Sequence, residues 1–193
     1  MLTKAQLDHL CGIETICQDC IRAGKYFDAV SGSRTNMWAF TRNCYGSICI
    51  IYWCQVFGSN KEPAHYSKLF AQGTITTMTE DTVAERLRTC VSMTKRQYNS
   101  FHKGVTYARN KFFAHYQYRI KDIPEFPDID LLISTSLEMR SIVRDIAYNE
   151  TAFDQKNLKD FVAAVSYHTN ARYLSEVESG VESLRHSAFP KKR

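Results

Sequence analysis

The chain has 193 residues, of which 44% are apolar, so it can bury one sizeable core and is not an intrinsically disordered protein. Eight glycines and four prolines are too few for an all-β protein built from many tight turns. The longest apolar run, about Ile48 to Phe57, is shorter than the roughly 20 residues that cross a bilayer, and the first residues contain no secretory signal. We therefore expect a cytoplasmic protein with no membrane partner.

Positive charge is concentrated in one part of the chain. Between Glu85 and Lys121 there are nine Lys or Arg residues and one acidic residue, whereas the whole chain has 25 basic and 20 acidic side chains. This asymmetry favours an anionic partner, and a nucleic acid ahead of a membrane, because no basic amphipathic membrane helix is recognisable. A solvated basic helix face without a partner is the alternative interpretation.

The chain contains seven cysteines, an odd number. Without a secretory signal, a framework of disulfides is not expected. Cys17 and Cys20 form a single C-x-x-C, but no second pair of Cys or His residues completes a set of four zinc ligands. We therefore predict buried or half-buried free thiols, no metal site and no cofactor.

Helix caps and apolar spacing predict the elements in order. Thr3-x-x-Gln6 is a capping box, and it opens a first helix that we expect to end near Gly24. A strongly apolar second helix should end at Gly58, its C-cap. Further helices are expected at about 82–91, capped by Thr82, at 94–118, capped by Thr94, at 128–148, capped by Asp128, and from 151 onward, with a loop at 58–66 and a short helical turn near 67–72.

No alternating strand pattern and no internal repeat is recognisable. We therefore predict an all-α bundle of about five to six helices. It should form a single domain over residues 1–186, followed by a basic tail at 187–193.

The helix that begins after Thr94 carries most of the polar chemistry. Its apolar positions are spaced three and four residues apart, which defines one seam that faces another helix. At about 100° per residue, Arg109 and His115 lie about 240° apart on a straight helix, and His115 continues the seam. The seam is formed by Tyr98, Phe101, Val105, Ala108 and Phe112.

His115 alone could be an ordinary hydrogen-bonded core histidine. Two arrangements would bring it to Arg109: the arginine reaches round the edge of the helix, or a second copy of the helix packs across the seam. In a two-fold pair, the histidines and arginines of both chains would line one cationic and partly desolvated cleft. Such a cleft suits a phosphodiester.

The segment Arg109–His115 reads R-N-K-F-F-A-H and fits the R-x(4–6)-H signature of HEPN domains, with a polar residue directly after the arginine. Its residue pattern, R-N-K-x-x-A-H, resembles that of the AbiU type of abortive-infection HEPN proteins. The resemblance in residues covers Ala108–Tyr118, whereas the helical layout covers most of the chain. It implies a HEPN-like bundle and a metal-independent endoribonuclease that acts as a homodimer, as a toxin or phage-defence effector with an antitoxin as a possible partner.

The implied reaction is attack of a ribose 2′-OH on the adjacent phosphate of single-stranded RNA, which leaves a 2′,3′-cyclic phosphate and a free 5′-OH. Arg109 would stabilise the negative charge on the phosphoryl oxygens. His115 would be the general acid or base, and Asn110 would orient Arg109 or the sugar.

Some HEPN toxins carry a tyrosine two residues after the histidine, which their antitoxins modify. Here that position is Gln117, between Tyr116 and Tyr118, so the resemblance leaves such a modification open. Tyr116 could stack on a base or simply pack. The candidate RNA-binding residues are Lys103, Lys111, Tyr116 and Arg119.

Two other classes of function compete with the nuclease. A non-catalytic HEPN-like module could use the same basic helix to bind a nucleotide, RNA or a protein partner. A hydrolase with a Ser-His-Asp triad is disfavoured because no G-x-S-x-G occurs, and neither a P-loop nor a G-x-G-x-x-G dinucleotide motif is present.

Overall fold

The computed structural model describes residues 2–30, 36–71, 75–113 and 127–150. Over these ranges the chain forms five α-helices, one 3₁₀ turn and one π-helical turn, and no β-strand. The predicted all-α class is therefore confirmed, whereas the expected helix after residue 150 and the basic tail lie outside the described residues. The helices are α1 (Lys4–Ala29), α2 (Asn36–Phe57), α3 (Glu80–Cys90), α4 (Lys95–Ala108) and α5 (Ile129–Glu150), with the 3₁₀ turn at Tyr66–Leu69 and the π turn at Arg109–Phe113.

The core lies where α1 packs along both α2 and α5. Ile13 of α1, Trp53 of α2 and Met139 of α5 are fully buried there. The Trp53 indole N–H donates to Thr135 Oγ1 at 2.9 Å, so a buried polar group of each helix is satisfied. In the part of the chain that the structure describes, no helix combines the length and the apolarity that a bilayer crossing requires.

The expected end of the first helix near Gly24 is wrong, because α1 continues to Ala29. A Cβ atom at Gly24 would lie 2.7 Å from two side-chain carbons of Ile133, which belongs to α5. The glycine therefore permits a close approach of two helices and does not terminate one.

Most of the predicted caps are confirmed, and one is wrong. Thr3 and Thr94 each form a complete capping box, and Asp128 Oδ1 accepts the Asp130 N–H at 3.0 Å. The cap of α3 is Thr79, whose hydroxyl accepts the Thr82 N–H. Thr82 therefore lies inside the first turn, and α3 begins earlier than its Thr82-x-x-Glu85 pattern predicted.

Ion pairs hold α5 against its neighbours. Glu14 of α1 is 2% exposed, and its Oε1 accepts from Arg140 Nε at 2.8 Å and from Arg144 Nη2 at 2.9 Å. Arg86 of α3 reaches α5 in the same way and bonds Glu138 at 2.7 Å and Asp145 at 2.6 Å. These contacts fix α5 between α1 and α3.

The cysteines are free thiols, as predicted, and all except the exposed Cys90 are buried or half-buried. Cys20 and Cys49 meet across the interface of α1 and α2 with their sulfur atoms 3.6 Å apart. Burial raises the pKa of the Cys54 thiol to about 12. The Cys54 thiol is therefore a core side chain and a poor nucleophile at neutral pH.

Candidate functional site

Arg109 stands where the helix type changes. The backbone is α-helical up to Ala108 and then widens into the π turn, a feature that is frequent at functional sites. The prediction of a regular α-helix from Thr94 to about Tyr118 is therefore wrong at Arg109–Phe113. The spacing of 100° per residue does not hold through this turn, so the straight-helix angle to His115 does not apply.

The apolar seam of α4 is confirmed as far as its side chains are described. Val105 and Ala108 are buried, and Tyr98 and Phe101 pack against the core. The Phe101 ring meets Trp53 edge-on, with 5.6 Å between the ring centroids. This packing anchors α4 on α2 and thereby fixes the position at which the π turn begins.

The Arg109 guanidinium is held by two oxygen atoms. Its Nη1 donates to Glu62 Oε1 at 2.5 Å, and its Nε donates to Asn110 Oδ1 at 3.2 Å. Both members of the ion pair are partly exposed, Arg109 at 27% and Glu62 at 25% of their side-chain area. Nη2 makes no hydrogen bond within the described ranges, so its two N–H donors are unpaired there.

Glu62 lies on a tightly bonded loop that follows α2. The Glu62 N–H donates to Ser59 O at 2.9 Å, and the His65 N–H donates to Glu62 O at 3.2 Å. His65 then caps the 3₁₀ turn, because its Nδ1 accepts the Ser67 N–H at 3.2 Å. His9 of α1 contacts the His65 carbonyl at 3.3 Å, which ties the loop to the core.

Two histidines converge on the last carbonyl of α2. His102 Nε2 lies 2.5 Å from Phe57 O, and because a carbonyl only accepts, Nε2 must carry the proton. His65 faces the same carbonyl, and burial, followed by the nearby His102, lowers the pKa of His65 to about 4. His65 is therefore neutral at pH 7. We call Phe57 O, Glu62, His65, His102 and Arg109 the α2-end cluster.

The α2-end cluster combines groups of complementary chemistry. The C-terminal end of α2 carries a partial negative charge, which favours the cationic Arg109 beside it. Arg109 can bind an anion, and the second ring nitrogen of His102 can accept a hydrogen bond, since Nε2 is the donor. His102 precedes Arg109 by two helical turns and therefore lies on the same side of α4.

The structure describes only some of the predicted site residues. Arg109 and Asn110 lie together, Lys103 is exposed on α4, and Lys111 is half-exposed in the π turn. The other candidates, His115, Tyr116 and Arg119, lie outside the described residues, so their relation to Arg109 stays a prediction.

Sequence reasoning missed three side chains of the cluster, those of Glu62, His65 and His102. His102 could have been found from its spacing to Arg109, which places both on one helix face. Glu62 gave no such signal, because it stands in a loop 47 residues before Arg109. Its carboxylate nevertheless bonds Arg109, and His65 follows it in the same loop.

Over the described ranges, no three His, Cys, Asp or Glu side chains are arranged to hold a metal ion. Among protein-family models, curated proteins and solved structures, none matches this chain.

Proposed function

We propose that the protein is a metal-independent endoribonuclease of the HEPN type that cleaves single-stranded RNA as a homodimer. The observation that supports this most is the state of Arg109. Its guanidinium stands on a π turn, is oriented by Glu62 and Asn110, and keeps Nη2 unbonded within the described part of the chain. A guanidinium held in this way is suited to a phosphodiester.

The proposed reaction needs a charge stabiliser and a proton carrier. The ribose 2′-oxygen attacks phosphorus and loses its proton to a base, while the bond to the 5′-oxygen breaks and that oxygen gains a proton. Arg109 stabilises the negative charge that grows on the non-bridging oxygens. His115 is the general acid or base of this step. Asn110 Oδ1 accepts a hydrogen bond from Arg109 Nε at 3.2 Å and thereby helps to orient the guanidinium.

The remaining parts of the proposal concern the partner molecules. Lys103, Lys111 and Arg119 would follow the RNA backbone, and Tyr116 would stack on a base. The local excess of basic residues between Glu85 and Lys121 supports an anionic partner of this kind. The biological role would be that of a toxin or phage-defence effector that an antitoxin restrains.

The test is cleavage of a labelled single-stranded RNA in the presence of EDTA. We expect products that end in a 2′,3′-cyclic phosphate, and a loss of at least about 100-fold in rate for Arg109→Ala and for His115→Ala. Arg22→Ala is a matched control, because it also removes an arginine that pairs with a carboxylate, here Asp19 at 3.2 Å. Cleavage that requires an added metal ion would refute the mechanism.

A second candidate is a non-catalytic HEPN-like module that binds RNA, a nucleotide or a protein. The Glu62–Arg109 ion pair favours this function, because the carboxylate neutralises part of the positive charge with which Arg109 would stabilise a transition state. In that case the same RNA would bind without turnover. Arg109→Ala would then weaken binding, and no product would form with either protein.

A further inference from the structure

Within the described ranges, one hydrogen bond joins the Arg109 side chain to another element of the fold. It is the bond from Nη1 to Glu62 Oε1 at 2.5 Å, whereas Asn110 is the adjacent residue in the chain. The Arg109 N–H bonds back to the carbonyls of Thr106 and Val105, where α-helix gives way to π turn. The helix thus fixes the backbone of Arg109, and Glu62 fixes the direction of its side chain.

Fixing this side chain has an energetic consequence for the reaction. A free arginine loses rotamer entropy, and therefore free energy, when it is immobilised. If Glu62 has already ordered the guanidinium, this entropy is not lost when the transition state forms. A group displaced by about 1 Å from its productive position can cost roughly 100-fold in rate.

The loop that carries Glu62 is suited to hold a group still. It is closed by the bonds from Glu62 N to Ser59 O and from His65 N to Glu62 O, and by a further bond from Lys61 N to Ser59 Oγ at 3.3 Å. At its end, His65 is 8% exposed and its ring stacks on Tyr66 with 4.9 Å between centroids. These hydrogen bonds restrict the backbone of Glu62 and suit a carboxylate that stays in contact with Arg109.

The carboxylate engages only part of the guanidinium. It contacts one nitrogen of the guanidinium, Nη1, and Asn110 takes Nε, so the two N–H groups of Nη2 have no partner among the described residues. We propose that Glu62 is a positioning residue, which orients the Arg109 guanidinium so that Nη2 meets a phosphate oxygen of the RNA. This inference rests on the proposed nuclease function.

Two variants of Glu62 separate positioning from inhibition. Glu62→Gln keeps an oxygen that accepts from Nη1 but loses the charge, whereas Glu62→Ala loses both. In RNA cleavage without metal, we expect Glu62→Ala to lower kcat about 10- to 100-fold with KM changed less than about 3-fold. Glu62→Gln should retain kcat within about 5-fold of the wild type. Glu85→Ala, which removes an exposed acid of α3, should leave kcat unchanged.

The opposite result would overturn the proposal. If both variants cleave faster than the wild type or lower KM, Glu62 is an inhibitory contact that competes with the RNA. If Glu62→Ala cleaves as fast as the wild type, the ion pair has no part in the reaction.

A measurement without RNA keeps this inference separate from the nuclease proposal. Nitrogen-15 NMR of the arginine Nη groups, with the Arg109 signals assigned from Arg109→Lys, reports whether the bond from Nη1 to Glu62 holds the guanidinium. We expect slow exchange of the Nη1 protons with water in the wild type and in Glu62→Gln, and fast exchange in Glu62→Ala. Fast exchange in the wild type would refute positioning. Slow exchange in a wild type that cleaves no RNA would refute the nuclease and leave Glu62 as the group that orders Arg109.

Discussion

Glu14 and Glu62 are two of the carboxylates that bind arginine in the described part of the chain, and their surroundings give them different capacities. Glu14 is 2% exposed between α1 and α5, and the side chain of its partner Arg140 is 12% exposed. Glu62 and Arg109 are each about a quarter exposed, on a loop and a π turn. The buried contact joins two helices, and its carboxylate is closed to solvent. The open contact uses the same chemistry where an anion can approach, so burial and not residue type separates the two.

The largest effect should follow from the buried contact. Glu14→Ala leaves Arg140 in the interior without a counter-charge, and we expect it to lower the free energy of unfolding by about 3–5 kcal/mol. Urea titration followed by circular dichroism measures this. Glu14→Gln, which retains an acceptor oxygen, should cost less. A loss below about 1 kcal/mol would show that water solvates the pair and would remove the contrast with Glu62.

Acid should weaken the region around Glu62 through its neighbour His65. In the folded protein the pKa of His65 is about 4, against an ordinary value of 6.5. Between pH 4 and pH 6.5, His65 therefore takes up a proton only in the unfolded chain. Stability is therefore constant above pH 6.5 and falls as the pH drops towards 4, by about 1–2 kcal/mol after allowance for solvent screening.

His65→Asn provides the comparison for this pH dependence. Asparagine can still cap the 3₁₀ turn by accepting the Ser67 N–H, but it does not titrate. Urea titrations at several pH values should give a smaller loss for the variant than for the wild type. Equal losses in both proteins would assign the acid sensitivity to other groups.

The smallest effect on stability should come from the open contact. Arg109→Ala removes a partly exposed ion pair, and we expect a loss of at most about 1 kcal/mol in the free energy of unfolding. A double-mutant cycle with Glu62→Ala should give a coupling of about 0.2–1 kcal/mol. A loss of several kcal/mol for Arg109→Ala would make Arg109 a structural residue like Arg140 and would count against the proposed site.

The parts of the fold that depend on neighbouring residues could be predicted from the sequence. The capping boxes at Thr3 and Thr94 are such cases, because the cap and its partner are three residues apart. The role of Gly24 could not be predicted in this way, because it depends on an α5 side chain more than one hundred residues later.

The candidate site also has some features that depend on neighbouring residues and others that depend on distant ones. The basic helix and the Arg109-Asn110 pair follow from local sequence, and the seam of α4 from its spacing. The π turn has no comparable signature, since it replaces a regular helix without a proline or glycine at its start. The contact with Glu62 requires the loop after α2 to meet α4, which only the packed helices determine.

The close approach at Gly24 also limits which sequences this fold accepts. A methyl group there would lie 2.7 Å from Ile133, so the space between α1 and α5 holds one side chain at this level and not two. Positions 24 and 133 therefore share a single volume. A relative of this chain that gains a side chain at the first position should carry a smaller one at the second, and the two positions should change together.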